Sequence, residues 1–307
     1  MAINIDRNKY QNLTKMEFLA RQVVEGFITG MHKSPFHGFS VEFAEHRLYN
    51  TGQSTRHIDW KLYARSEKLF VKRYEEETNL RCRIVLDTSA SMRYPEAKGD
   101  DKHSKLTFAT YAAAALTEMM RRQRDAVGLT TFSETVEFHS PAKSTMAHHK
   151  FLFNQMEAYL NAEPDAKQTS AVDAMHQIAE RIHRRSLIVV LSDMFDNSEK
   201  QDELFSALQR LKFNKHEVIL FHITDKSTEL DFEFENRPYT FVDTETGEQV
   251  KAHPNEIRET YLNQMDKFMY ELQLKCGQYG IDFVSADIAD GFNDVLLKYM
   301  IKRKKLF

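Results

Sequence analysis

At 307 residues the chain has room for one large domain, or for one domain with a smaller companion. Hydrophobic residues at 42% and charged residues at 28% are ordinary for a globular protein and exclude wholesale disorder. A formal net charge of -3 excludes the basic bias of a general nucleic-acid binder, and no apolar run approaches the roughly 20 residues that span a bilayer.

In chain order, Met1 to Tyr10 are polar and lack the apolar centre of a secretory signal. Thr14-Lys15-Met16-Glu17 reads as a capping box. It opens a helix through Met16, Leu19, Ala20, Val23 and Phe27 that Gly30 can end. Residues 36 to 79 carry short strand-like pieces, Ser40 to Phe43 and Leu69 to Tyr74, and read as a small, partly antiparallel β unit. The chain therefore divides into residues 1–79, a helix plus this β unit, and residues 80–307.

From residue 80 the pattern alternates strand and helix. Buried strands are expected at Ile84 to Leu86, Ala126 to Phe132, Leu187 to Leu191, Val218 to Phe221 and Phe283-Val284, with a neighbour at Thr135 to His139. Between them come amphipathic helices through Phe108, Leu116 and Met119, through Val172, Met175 and Ile178, and through Leu204, Leu208 and Leu211. A fourth opens at Pro254 and aligns Ile257, Tyr261, Met265, Phe268, Leu272 and Cys276 before Gly277; a last one carries Val295, Leu296 and Tyr299. Leu230 to Val250 interrupts the alternation and reads as a β-hairpin excursion. Alternation of this kind gives an α/β class with a doubly wound, mostly parallel sheet.

Cys82 and Cys276 lie far apart with no Cys-x-x-Cys spacing. They read as reduced core thiols, which suits a cytoplasmic address. Thirteen histidines include no His-x-x-x-His pair, so a zinc site is not expected, and His148-His149 reads as a solvated loop. Arg56, Asp59 and Trp60 read as an ion pair beside a buried tryptophan, with a partner-contact surface as the other reading.

The sharpest chemistry follows the first buried strand. In Asp87-Thr88-Ser89-Ala90-Ser91 a carboxylate ends the strand and two hydroxyls follow at alternate positions, which an extended loop would turn to one side. Asp193 ends the most apolar strand, and in an open α/β sheet both carboxylates would meet beyond the carboxyl ends of the strands. Thr169, just before the Val172 helix, is a third contributor. Oxygen-only ligands suit a hard cation, Mg2+ or Mn2+. Each piece has a plainer reading as an N-cap or turn residue; their combination is the specific signal.

Asp87-x-Ser89-x-Ser91, Thr169 and Asp193 resemble the metal ion-dependent adhesion site of von Willebrand factor A domains. The resemblance implies that the two serines and the threonine bind through hydroxyls and that one or both aspartates act through water. It also implies an open coordination position that takes a partner's carboxylate. Upstream, His37-Gly38, Glu42-Phe43, Arg47-x-Tyr49, Arg56-x-Ile58-Asp59-Trp60, Ala64-Arg65 and Val71-Lys72 before Glu75-Glu76-Glu77 resemble domain-of-unknown-function family 58. So do Ser192-Asp193 and Asp243-x-Glu245-x-Gly247 downstream. That likeness implies a metal-dependent adaptor or co-chaperone for a MoxR-type AAA+ ATPase and its client. With no positioned base or nucleophile in the motif, catalysis is not expected. The rival expectations are a metal-dependent phosphohydrolase and a scaffold whose ion site is vestigial.

Overall fold

The computed structural model describes residues 15–30, 43–49, 58–74, 80–95, 104–133, 135–162, 171–182, 185–195, 201–213, 215–243 and 247–306. They form two compact units, residues 36–80 and the remainder of the chain.

The larger unit is organised by strands too apolar to face water on either side. β3 (Arg81–Asp87), β4 (Ala126–Phe132), β6 (Leu187–Ser192), β7 (Glu217–Thr224) and β10 (Asp282–Asp287) run parallel, and β5 (Val136–His139) closes one edge antiparallel to β4. The strand order is β10-β7-β6-β3-β4-β5. All six residues of β6 are buried, as a central strand covered on both faces requires.

Helices cover both faces because successive strand residues point to opposite sides. Val85, Val190 and Leu220 join the core formed with α5 (Ala171–Arg181), α6 (Gln201–Phe213) and α7 (Pro254–Tyr279). On the other face α3 (Lys105–Gln123) lies across β3, β4, β6 and β7, flanked by α4 (Met146–Asn161) and α8 (Gly291–Leu306); Phe221 meets Tyr299 of α8 edge to face. The fold is thus the expected α/β class, a doubly wound, mostly parallel sheet. Cys82 and Cys276 are both buried, as expected of core thiols.

Several local expectations need correction. The first helix, α1 (Lys15–Gly30), was grouped by sequence with residues 36–79. It packs instead on α3 and α4 through Met16, Ala20 and Val24, so it belongs to the larger unit. Thr14, its expected cap, lies outside the described residues. His148-His149 is not loop but the first turn of α4, and His149 is buried. α7 runs through Gly277 and stops at Gly280, whose φ of 67° makes the left-handed cap that glycine adopts without strain. In the excursion only Tyr239–Val242 (β8) and Gln249–Ala252 (β9) pair as a hairpin, and Phe232 and Phe234 precede it in irregular chain.

The smaller unit pairs β1 (Phe43–Leu48) antiparallel with β2 (Phe70–Tyr74) around the short α2 (Trp60–Ser66). Asp59 serves there as N-cap, its carboxylate accepting the amides of Lys61 and Leu62. Trp60 is 62% exposed, not buried: it opens α2, which has no buried residue, and its ring meets Tyr63 edge to face. Arg56 and Glu75-Glu76-Glu77 lie outside the described residues.

Candidate metal centre

β3 and β6 are adjacent, yet the chain leaves them in opposite directions: β3 is followed by β4 on one side, β6 by β7 on the other. That is the switch point of a doubly wound sheet, where the carboxyl ends of the strands leave a crevice. Asp87 ends β3 and Asp193 follows β6, so the topology delivers both aspartates to this crevice.

Asp87 is buried. Its Oδ2 accepts a 2.6 Å hydrogen bond from Ser192 Oγ and its Oδ1 accepts the Ser89 amide at 2.9 Å. Among the described residues no basic side chain pairs with it. Burial, followed by the nearby Asp193 charge, pushes its carboxyl up to about 7, against the pull of the Ser192 and Ser89 hydrogen bonds.

The serines converge by a route different from the extended loop that alternation suggests. Ser91–Arg93 is a single 3-10 turn, with the Met92 amide donating to Ser89 O at 3.2 Å. Met92 is fully buried and pins this turn to the core. The turn brings Ser89 Oγ and Ser91 Oγ to 3.1 Å of each other, with Ser89 buried and Ser91 half-buried. Thr88 ties the loop to the neighbouring strand: its amide and its hydroxyl each donate to Phe132 O at 2.8 Å.

On the other lip, Asp193 Oδ1 accepts the Phe195 amide at 3.2 Å, and Met194 adopts a left-handed φ of 52° while burying its side chain. A methionine rarely takes that conformation; here the Met194 amide donates to Ser192 Oγ at 2.9 Å, so the kink also fixes the serine that holds Asp87.

Sequence reasoning missed Lys105, at the start of α3. It is fully buried and its ammonium donates to Asp193 Oδ2 at 2.8 Å and to the Glu229 carboxylate. Burial alone would lower its pKa, but the Asp193 and Glu229 charges outweigh it and hold it above the usual lysine range. His222, paired on β7 with Ser192 of β6, also went unread: burial lowers it to about 4. No sequence periodicity marks either residue, although an ionisable side chain at an otherwise core-facing position is the signal that could have found them.

Four of the five expected ligands, Asp87, Ser89, Ser91 and Asp193, therefore meet at one end of the sheet. Thr169 lies outside the described residues. Among the described residues no group of three or more His, Cys, Asp or Glu side chains is arranged to hold a metal. A cation here would depend on serine hydroxyls together with the Asp87 carboxylate. Oxygen donors of this kind fit Mg2+ or Mn2+, and a buried carboxylate without a basic partner supplies the charge that such an ion neutralises.

Comparison with known proteins gives distant relatives. Uncharacterized proteins of Mycobacterium bovis and Mycobacterium tuberculosis are each 24% identical over 213 residues, 69% of this chain; the chain spans 64% of their length. Among solved structures, the conserved hypothetical protein BatB of Bacteroides thetaiotaomicron is 16% identical with a TM-score of 0.43, covering 74% of this chain and 99% of its own. The von Willebrand factor A domain of SpRpn10 is 18% identical with a TM-score of 0.35, covering 48% and 76%. A family model described as protein of unknown function DUF58 matches residues 45–268, and the chain belongs to that family.

Proposed function

We propose that this protein is a metal-dependent protein-interaction module. Asp87, Ser89, Ser91 and Thr169 would hold Mg2+ or Mn2+, with Asp193 acting partly through water. The observation that carries the reading is the meeting of Ser89 Oγ and Ser91 Oγ, 3.1 Å apart, beside a buried Asp87 carboxylate that pairs with no basic side chain among the described residues. Hydroxyl ligands are neutral, so a bound ion would keep most of its charge and attract a carboxylate of a partner.

Binding is favoured over catalysis by what surrounds the serines. Among the described residues no histidine hydrogen-bonds to Ser89 or Ser91, whose hydroxyls lie 3.1 Å apart, and the nearby Lys105 is held by two carboxylates. The partner we propose is a MoxR-type AAA+ ATPase together with a client that supplies the carboxylate; this rests on the sequence resemblance.

Calorimetric titration of Mn2+ into the wild type and Asp87→Ala, alongside capture of the ATPase with Mg2+ or with chelator, tests the reading. We expect saturable Mn2+ binding and Mg2+-dependent capture by the wild type, both lost in a variant of unchanged circular dichroism. Capture by Asp87→Ala equal to wild type would sink the proposal. Mg2+-dependent turnover of phosphate esters would move the protein to the hydrolase reading.

A further inference from the structure

The Lys105 ammonium is shared between two carboxylates that belong to different parts of the fold. Asp193 lies on the lip of the ion site. Glu229 lies in the single π-helical turn Lys226–Leu230, which follows β7 and leads into the hairpin excursion. The rings of Phe195 and Tyr94, at 5.2 and 5.8 Å from Nζ, flank the ammonium.

The turn has further ties to the same region. The second Glu229 oxygen accepts the Asp225 amide at 2.8 Å, Tyr94 OH donates to Thr228 Oγ1 at 2.9 Å, and Tyr261 OH of α7 donates to the Glu229 carbonyl at 2.8 Å. The Lys105 amide donates to the Tyr94 carbonyl at 2.9 Å, so the start of α3 and the loop after Met92 hold the turn together. Immediately beyond it Phe232 is buried against Tyr261 and Phe241, with ring centroids 4.6 and 5.8 Å away, which seats the hairpin.

We propose that Lys105 is a positioning residue that clasps the Lys226–Leu230 turn to Asp193, and that a divalent cation entering the site loosens this clasp and the start of the hairpin excursion. The cation part rests on the ion-site reading above. The physical reason is competition for one carboxylate. A fully buried ammonium needs both of its anions, because neither water nor another acceptor replaces them. A doubly charged ion beside Asp87 attracts Asp193 and repels the ammonium across a medium that screens little. Linkage then demands reciprocity: a cation that weakens the clasp binds more tightly once the clasp is gone, by the same factor.

The test is hydrogen exchange on the full chain with and without Mn2+, joined to Mn2+ calorimetry, for the wild type, Lys105→Met and Glu229→Gln. The amides of Asp225, Glu229, Asp231 and Glu233 are hydrogen-bonded within the turn region and report on it. In the wild type we expect saturating Mn2+ to speed exchange over residues 225–234 by at least about five-fold, and Lys105→Met to bind Mn2+ at least about five-fold more tightly. Glu229→Gln keeps the Lys105–Asp193 pair and cuts only the charged link to the turn, so it covers the case in which Lys105→Met does not fold. It should exchange fast already without Mn2+ and gain little from it. Mn2+ that binds the wild type and leaves exchange at 225–234 unchanged overturns the cation-driven loosening while the ion-site reading stands, and Glu229→Gln that exchanges no faster than wild type without Mn2+ overturns the clasp. Absence of Mn2+ binding by the wild type overturns the ion-site reading, and the cation-driven loosening with it.

Discussion

His222 shows how one buried side chain sets a pH limit. Its ring stacks on Phe283 at 5.7 Å and meets Phe195 edge to face at 5.8 Å. Burial lowers its pKa from 6.5 to about 4, with Lys105 adding to the effect and Asp193 opposing it. Between those values the unfolded chain takes up a proton that the fold refuses. The stability His222 contributes is therefore full above pH 6.5 and is lost as the pH falls toward 4. A shift of this size corresponds to roughly 3 kcal/mol. His222→Phe keeps the ring contacts and removes the titration. Urea unfolding at pH 7 and pH 4.5 should show a smaller loss on acidification for the variant, and an equal loss would assign the pH dependence to other groups, such as His139, also lowered to about 4. At the same scale, removing the Lys105 ammonium leaves Asp193 and Glu229 without their cation, which for buried pairs costs about 3–5 kcal/mol.

At the scale of elements, the ion-site loop and the π-helical turn are both short, tightly bent segments; the buried Met92 pins the first, and the Lys105–Glu229 pair with the Tyr94 and Tyr261 hydroxyls holds the second. Neither has the length or the periodicity of a helix, so each depends on the packing beneath it. α1 is the reverse case: a regular helix whose apolar stripe needs a partner. Met16 is 2% exposed, and within α1 the buried Glu17 accepts a 2.7 Å bond from Arg21. Met16→Ala should lower stability by about 2 kcal/mol or more in chemical denaturation, since a truncated buried side chain leaves a cavity. A change below about 0.5 kcal/mol would show that α1 is dispensable to the larger unit.

For the whole molecule, an ion bound only by the folded state stabilises everything that unfolds with it. At a Mn2+ concentration about 100 times the dissociation constant the gain is about 2.7 kcal/mol, enough to raise the melting temperature by several degrees. Wild type should show this shift in a thermal scan, and Asp87→Ala should not. No shift in the wild type would place the ion site outside the folding unit or remove it. That aspartates carried by two strands separated by residues 88–186 can act as one site follows from the switch point between β3 and β6, a property of strand order rather than of any local stretch.

The sequence by itself determined the strands and most of the helices, because burial on both faces or on one stripe imposes a period that residue types reveal. β4 falls on the expected Ala126 to Phe132, and Gly30 closes α1. It also marked Asp87, Ser89, Ser91 and Asp193 as a set, since short polar residues directly after apolar strands stand out. α4 escaped notice because its apolar residues, Leu152, Phe153 and Met156, share their helix with the paired histidines that suggested loop. Only the tertiary structure decided that the serines meet through a 3-10 turn and that Trp60 faces outward. It alone placed Lys105 between Asp193 and Glu229, 88 and 124 residues away. A buried charge is stable only where its partners converge, and convergence across such separations is set by packing, which no local pattern in the chain records.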